Sequence, residues 1–125
     1  MKSYSNDRPS TFVDLLNGHT HYNHNVVEEE RPADINGGES TGKQFVYDTT
    51  DVVGELTYSK IVAATIADKY SIEEELELTG KYNDVMLELS NNEDDVEEYK
   101  AYRRDVAAIK AMVRADCQQN GIPID

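Results

Sequence analysis

The sequence predicts a mainly α protein, in which a C-terminal three-helix bundle or helical hairpin follows a mostly extended N-terminal arm. Residues 57–125 are dense in Ala, Leu, Glu, Lys and Tyr, and their apolar positions recur at the spacing of a helix. Residues 1–56 hold most of the glycines, two of the three prolines and all three histidines, with no long helical period. We therefore divide the chain into an arm, 1–56, and a helical domain, 57–125.

The composition is that of one small acidic domain. The chain has 125 residues, 38% of them hydrophobic, and a net charge of −13. Such a charge disfavours binding to nucleic acid and to anionic membranes, because both repel it. Cys117 is the single cysteine, so no internal disulfide can form, which suits a reducing compartment. No secretory signal or membrane span is expected, since no apolar segment has the required length.

Three helices are predicted in the second half. The first covers about residues 58–70, with Thr57 as its N-cap. Ser71 and Glu74 form a capping box that begins the second helix, which Gly80 weakens and residues 91–92 end. The third covers about residues 93–117, with acidic residues in its first turn. Asn120-Gly121 predicts its C-terminal end. The predicted core consists of Tyr58, Ile61, Ile66, Leu78, Val85, Leu89, Val106, Ile109 and Val113.

The first half has weaker signals. Residues 11–17 predict a short helix closed by Gly18, and residues 25–28 and 44–47 predict two strands that pair as a short β-hairpin. The arm has too few apolar residues for a core of its own and too many for a solvated tail. We expect it to become ordered against other subunits. The predicted partner-binding residues are Phe12, Leu15, Leu16, Phe45 and Tyr47.

A near-match to a phosphate-binding P-loop lies at residues 37–44. Gly37, Gly42 and Lys43 have the required spacing, but Gln44 stands where the motif needs Ser or Thr to hold a metal ion. A strand-like stretch follows instead of a helix, so the segment is better explained as a turn. We expect no nucleotide, no other cofactor and no small-molecule substrate.

Histidines form a second candidate motif. His19 and His21 are two residues apart and would share one face of a strand, and His24 follows. Together they suggest a metal site as a minority hypothesis, because three imidazoles can complete one. Exposed loop histidines are commoner, so no metal is expected. Of the three acidic clusters, at residues 28–30, 73–75 and 93–95, two lie where a helix N-terminus favours negative charge, and all three are typical of solvated surfaces. We therefore expect no enzymatic activity.

Three stretches of the second half carry a resemblance to a known group of proteins. They are Lys69-Tyr70-Ser71-Ile72-Glu73-Glu74-Glu75-Leu76, Glu97-Glu98-Tyr99-Lys100-Ala101-Tyr102 and Arg114-Ala115-Asp116-Cys117. Over residues 57–117 the chain resembles small uncharacterised proteins from the late structural genes of tailed bacteriophages and prophages. Residues 82–92 depart from that pattern by lengthening the second helical segment. The resemblance implies a virion or tail-region component and no catalytic residues.

The expected function is that of a non-enzymatic structural protein of a tailed-phage virion, in the tail, the baseplate or the head–tail joining region. It would be made in the host cytoplasm and would act through contacts with other virion proteins, as a homo- or hetero-oligomer, without nucleic acid or membrane. The alternative is an acidic decoy that binds a basic, DNA-binding host protein.

Overall fold

A computed structural model of the chain describes residues 1–30 and 42–125. These residues form two compact units, Met1–Leu56 and Thr57–Asp125. The first unit is a four-stranded antiparallel sheet and the second consists of helices, so the fold class is α+β. The prediction of a mainly α protein with an extended arm is therefore wrong.

The strands of the sheet are β1 (Lys2–Ser5), β2 (Phe12–Asp14), β3 (His19–Glu30) and β4 (Lys43–Val53). They are arranged in the order β1-β4-β3-β2. The centre of the sheet is one long hairpin, in which β3 pairs with β4 and a bulge lies between His24 and Val27. The predicted pairing of residues 25–28 with 44–47 is confirmed, but it is only the part of this hairpin farthest from His19 and Val53.

The aromatic and apolar core of the sheet lies on one of its faces, while Asn23 and Thr49 are buried on the other face. Tyr22, Thr50 and Val52 are almost completely buried, and the rings of Phe12 and His24 stack on either side of Tyr22 at centroid distances of 5.0 and 4.7 Å. The strand pattern is hard to recognise in the sequence because Thr and His hold buried positions that usually carry aliphatic side chains.

The helix predicted over residues 11–17 is absent, and β2 is followed there by a turn. Asp14 Oδ1 accepts a hydrogen bond from the Leu16 amide at 2.8 Å, and Asn17 Oδ1 accepts one from the His19 amide at 3.2 Å. Such side-chain bonds to the backbone compete with helix formation. Leu16 has a φ of 63° and Gly18 one of 82°, so both lie in the left-handed region.

The three helices predicted in the second unit are present. Thr57, Ser71 and Asn92 cap their N-termini, and Ser71 forms the predicted capping box with Glu74. Gly121, at a φ of 67°, ends the last helix, and Gly80 causes no break. The helices are α1 (Tyr58–Lys69), α2 (Ile72–Met86) and α3 (Glu93–Asn120).

The fully buried side chains of the helical unit lie on α1 and α3, while α2 packs on α3 through half-buried side chains. Ile61, Val106 and Val113 are buried as predicted. Leu89 is 75% exposed, so its assignment to the core is wrong: α2 ends at Met86, and Glu88 turns the chain with a φ of 61°. The other predicted core residues, Tyr58, Ile66, Leu78, Val85 and Ile109, are half-buried.

Candidate functional site

Among the residues that the structure describes, α2 carries a group of exposed apolar side chains. Ile72, Leu76, Met86 and the C-cap residue Leu87 project from one side of the helix; we call these four residues the outer face of α2. Their exposed fractions are 76%, 67%, 53% and 67%. No residue of α2 is fully buried. Exposed apolar side chains grouped in this way are typical of an interaction surface.

The packing of α2 on α3 uses a different side of the helix. Leu78, Tyr82 and Val85 are half-buried, and the Tyr82 ring stacks on Tyr99 of α3 at a centroid distance of 4.2 Å. At 100° per residue this side lies roughly 120° around the helix from the outer face. The packing of α2 on α3 therefore leaves the outer face uncovered within the helical unit.

Carboxylates run along the outer face. Glu73, Glu77 and Asp84 recur at four- and seven-residue spacing and so form a row beside it. Lys81 Nζ also lies 3.1 Å from Glu77 Oε1 and forms an ion pair with it. The hydrogen bond to Glu77 holds the pKa of Lys81 above its ordinary value. Over its whole length α2 carries five carboxylates and one ammonium group.

A cleft of about 410 Å³ opens on the other side of this acidic row. Tyr70 and Tyr102 line it with their rings edge to face at 5.0 Å, together with Glu74 and Glu98. The cleft pairs aromatic rings with carboxylates, a combination that suits a cationic side chain and not an anionic substrate. Among the described residues that line it, none is a histidine, serine or cysteine.

The structure separates the three histidines. His19 and His21 share a face of β3 as predicted, and their ring nitrogens lie 2.9 and 4.0 Å from the Asp51 carboxylate. His24 is on the opposite face, buried, with Nε2 at 2.9 Å from Thr50 Oγ1. Among residues 1–30 and 42–125, no three His, Cys, Asp or Glu side chains are grouped to hold a metal ion.

The predicted partner-binding residues fall into two groups. Leu15 and Leu16 lie in the turn after β2 with exposed fractions of 40% and 90%, so they are accessible. Phe12, Phe45 and Tyr47 are half-buried strand residues, and Phe12 is part of the aromatic stack of the sheet. Of these five residues, only Leu15 and Leu16 are therefore exposed enough to contact a partner.

Residues 37–41 of the P-loop-like segment lie outside the residues that the structure describes. Gly42 and Lys43 are described, and Lys43 begins β4, where its Nζ lies 3.7 Å from Glu28 Oε1. The strand predicted for residues 44–47 is confirmed as part of β4.

Cys117 is fully buried, and burial raises the pKa of its thiol. It therefore has neither the access nor the ionisation of a nucleophile.

Compared with protein-family models, curated proteins and solved structures, the chain gives no significant match. In the part of the chain that the structure describes, no helix combines the length and apolar content that a bilayer crossing requires.

The outer face of α2 was missed by the sequence analysis, although a signal for it exists. The predicted core includes Leu78, Val85 and Leu89 of this segment, and no role is assigned there to Leu76 and Met86. Ile72, Leu76, Thr79, Asn83 and Met86 recur at alternating four- and three-residue intervals. This second helical stripe predicts a second packing face on the same helix.

Proposed function

We propose that this protein is a non-enzymatic structural component of a tailed-phage virion that acts through subunit–subunit contacts. The observation that supports the proposal best is the outer face of α2, where Ile72, Leu76 and Leu87 are each at least two-thirds exposed. Fully burying one such side chain is worth roughly 1.5–3 kcal/mol. A face of this kind contributes to stability only when another molecule covers it.

The chemistry of the described residues is consistent with a binding role. The cleft beside Tyr70 and Tyr102 lacks a nucleophile paired with a base, and Cys117 is inaccessible. The resemblance of residues 57–117 to late structural proteins of tailed phages supplies the virion as the setting. The turn at Leu15 and Leu16 offers a second, smaller contact surface on the sheet.

The proposal is tested on particles from the bacterial strain that carries the coding sequence. Particles purified through a density gradient are digested and analysed by mass spectrometry. We expect peptides of this protein in a fixed ratio to those of the tail or connector proteins. Removal of the gene should leave particles that lack it and that are defective or unstable. Absence of the protein from intact particles would overturn the virion role.

The alternative, an acidic decoy for a basic host protein, is favoured by the net charge of −13 and by the carboxylates of α2. A decoy occupies the DNA-binding face of its target, so duplex DNA should displace it competitively. Its binding should depend on Glu73, Glu77 and Asp84 and be insensitive to substitutions in the outer face. Binding that instead survives saturating DNA would exclude the decoy role.

A further inference from the structure

We propose that the outer face of α2 binds a cationic amphipathic helix of a neighbouring protein, which pairs with α2 along two heptads. The inference rests on the proposed function, since it names the partner chemistry of the same surface. It is supported by three features of α2: the interval of its exposed side chains, the charge beside them and the polarity in the middle of the face.

The interval of the exposed side chains selects a helix as the occupant. Ile72, Leu76, Thr79, Asn83 and Met86 follow one another at intervals of four, three, four and three residues. This alternation is the a/d pattern by which two helices pack side by side, whereas a strand presents contacts at every second residue. These five positions span α2 from its first residue to its last; four of them are exposed and Thr79 is half-buried.

The polar middle of the face favours one register of the partner helix. Ile72 and Leu76 are apolar at one end and Met86 is apolar at the other, while Thr79 and Asn83 lie between them. A polar residue at one core position of a helix pair lowers its stability and fixes its alignment. A partner with a hydrogen-bonding side chain opposite Asn83 would satisfy this position.

The charge beside the face selects a cationic partner. In the heptad that this interval defines, Glu73 and Glu75 hold the positions that flank the face at its N-terminal end, and Glu77 and Asp84 lie one position further out. Only Lys81 offsets the five carboxylates of α2, and its ammonium group is held by Glu77. Lys and Arg on both sides of the partner's apolar stripe would complement this row.

The same charges disfavour the two other occupants of such a face. A second copy of the chain would bring an identical set of carboxylates against the first, and the whole chain has a charge of −13. Amphipathic helices that lie on membranes carry Lys and Arg on their polar side, whereas α2 carries Glu and Asp. An anionic bilayer would therefore repel it.

The test uses the full-length protein and two synthetic three-heptad peptides, both labelled with a fluorophore. Both peptides have Ile and Leu at the a and d positions; one has Lys at e and g, and the other has Glu there. Fluorescence anisotropy should show micromolar binding of the Lys peptide and binding of the Glu peptide that is at least about tenfold weaker. Affinity for the Lys peptide should fall severalfold when salt is raised from about 0.05 to 0.5 M.

A second exposed aliphatic residue, far from α2 in the sequence, provides the control. Leu76 is 67% exposed on the outer face, and Val53 is 61% exposed on β4 of the sheet. Since neither contributes to a core, Leu76→Ser and Val53→Ser should both fold, which circular dichroism would verify. The Leu76→Ser variant should bind the Lys peptide about tenfold or more weakly, and Val53→Ser should bind as the unchanged protein does.

Several outcomes would overturn the inference. Equal binding of the two peptides, no binding of either, or equal losses in the two variants would each do so. Self-association of the free protein in sedimentation, abolished by Leu76→Ser, would identify a second copy as the occupant instead. If the protein is present in particles but does not bind the Lys peptide, only this inference is refuted. If it binds the Lys peptide but is absent from particles, only the virion role is refuted.

Discussion

The Tyr70 hydroxyl donates a hydrogen bond to the Asp105 carboxylate and so joins the end of α1 to the middle of α3. Lys69 Nζ lies 3.3 Å from the same carboxylate. The hydrogen bond to Asp105 raises the pKa of Tyr70 to about 12, and the bonds from Tyr70 and Lys69 lower the pKa of Asp105. Both shifts mean that the pair stabilises the folded state when the phenol is protonated and the carboxyl is ionised.

Tyr70→Phe should lower the free energy of unfolding by about 1 kcal/mol near pH 7, because one hydrogen bond to a partly exposed charge is lost. The Tyr70 contribution is complete below the ordinary phenol pKa of 10.0 and declines as pH rises towards about 12. The Asp105 contribution is complete above the ordinary carboxyl pKa of 3.8 and declines as pH falls through its lowered folded value. Urea unfolding of both proteins between pH 2.5 and 7 should show the difference shrinking in acid; a difference independent of pH would contradict this account.

Two isoleucines in consecutive helices should differ widely in how much their truncation lowers the free energy of unfolding. Ile61 of α1 is fully buried, so Ile61→Ala should cost roughly 2–5 kcal/mol in the free energy of unfolding. Ile72 of α2 is 76% exposed, so Ile72→Ala should change it by less than about 0.5 kcal/mol. Thermal and urea unfolding of the isolated protein would measure both. A large loss in Ile72→Ala would show that the outer face is already covered in the free chain.

Two glycines should respond oppositely to alanine. Gly80 lies inside α2, and an added Cβ would meet no atom within 4 Å, so Gly80→Ala should stabilise the protein by about 0.5–1 kcal/mol. Gly121 ends α3 at a φ of 67°, so Gly121→Ala should destabilise it by about 1 kcal/mol. The melting temperatures of the two variants should therefore move in opposite directions. If Gly80→Ala lowered the melting temperature, α2 would not be the continuous helix described.

The first unit should be ordered in the free chain without any partner. Hydrogen exchange of the isolated protein should be slow at the amides that pair β3 with β4, since their ladder surrounds the buried side chains of Tyr22 and Val52. Fast exchange there, beside slow exchange in α3, would support the arm that the sequence analysis predicted.

The helices could be predicted from the sequence because their signals are local. Ser71 and Glu74 form a capping box within four residues, and Asn120-Gly121 marks the end of α3. The apolar stripe through Val106 and Val113 repeats for several turns, so its buried side is unambiguous. The end of α2 was placed too late because the left-handed residue that turns the chain is Glu88, a type that rarely adopts this conformation.

The sheet could not be predicted from the sequence in the same way. Its hairpin joins residues as distant as His19 and Val53, and its buried positions carry Tyr22, His24 and Thr50. Polar side chains at buried positions hide the alternation that indicates a strand. The edge strands are short, and β1 and β2 are each recognisable only from the partner that they pair with.

The central claim is that another protein covers the outer face of α2 in the particle. Hydroxyl-radical footprinting with mass spectrometry measures it most directly, because the radical oxidises exposed methionine. Met86 of the outer face is 53% exposed and Met1 of the sheet unit is 74% exposed, so the two thioethers serve as probe and internal reference. In the free protein both should be oxidised readily. In purified particles the oxidation of Met86 relative to Met1 should fall severalfold, and an unchanged ratio in particles that contain the protein would contradict the claim.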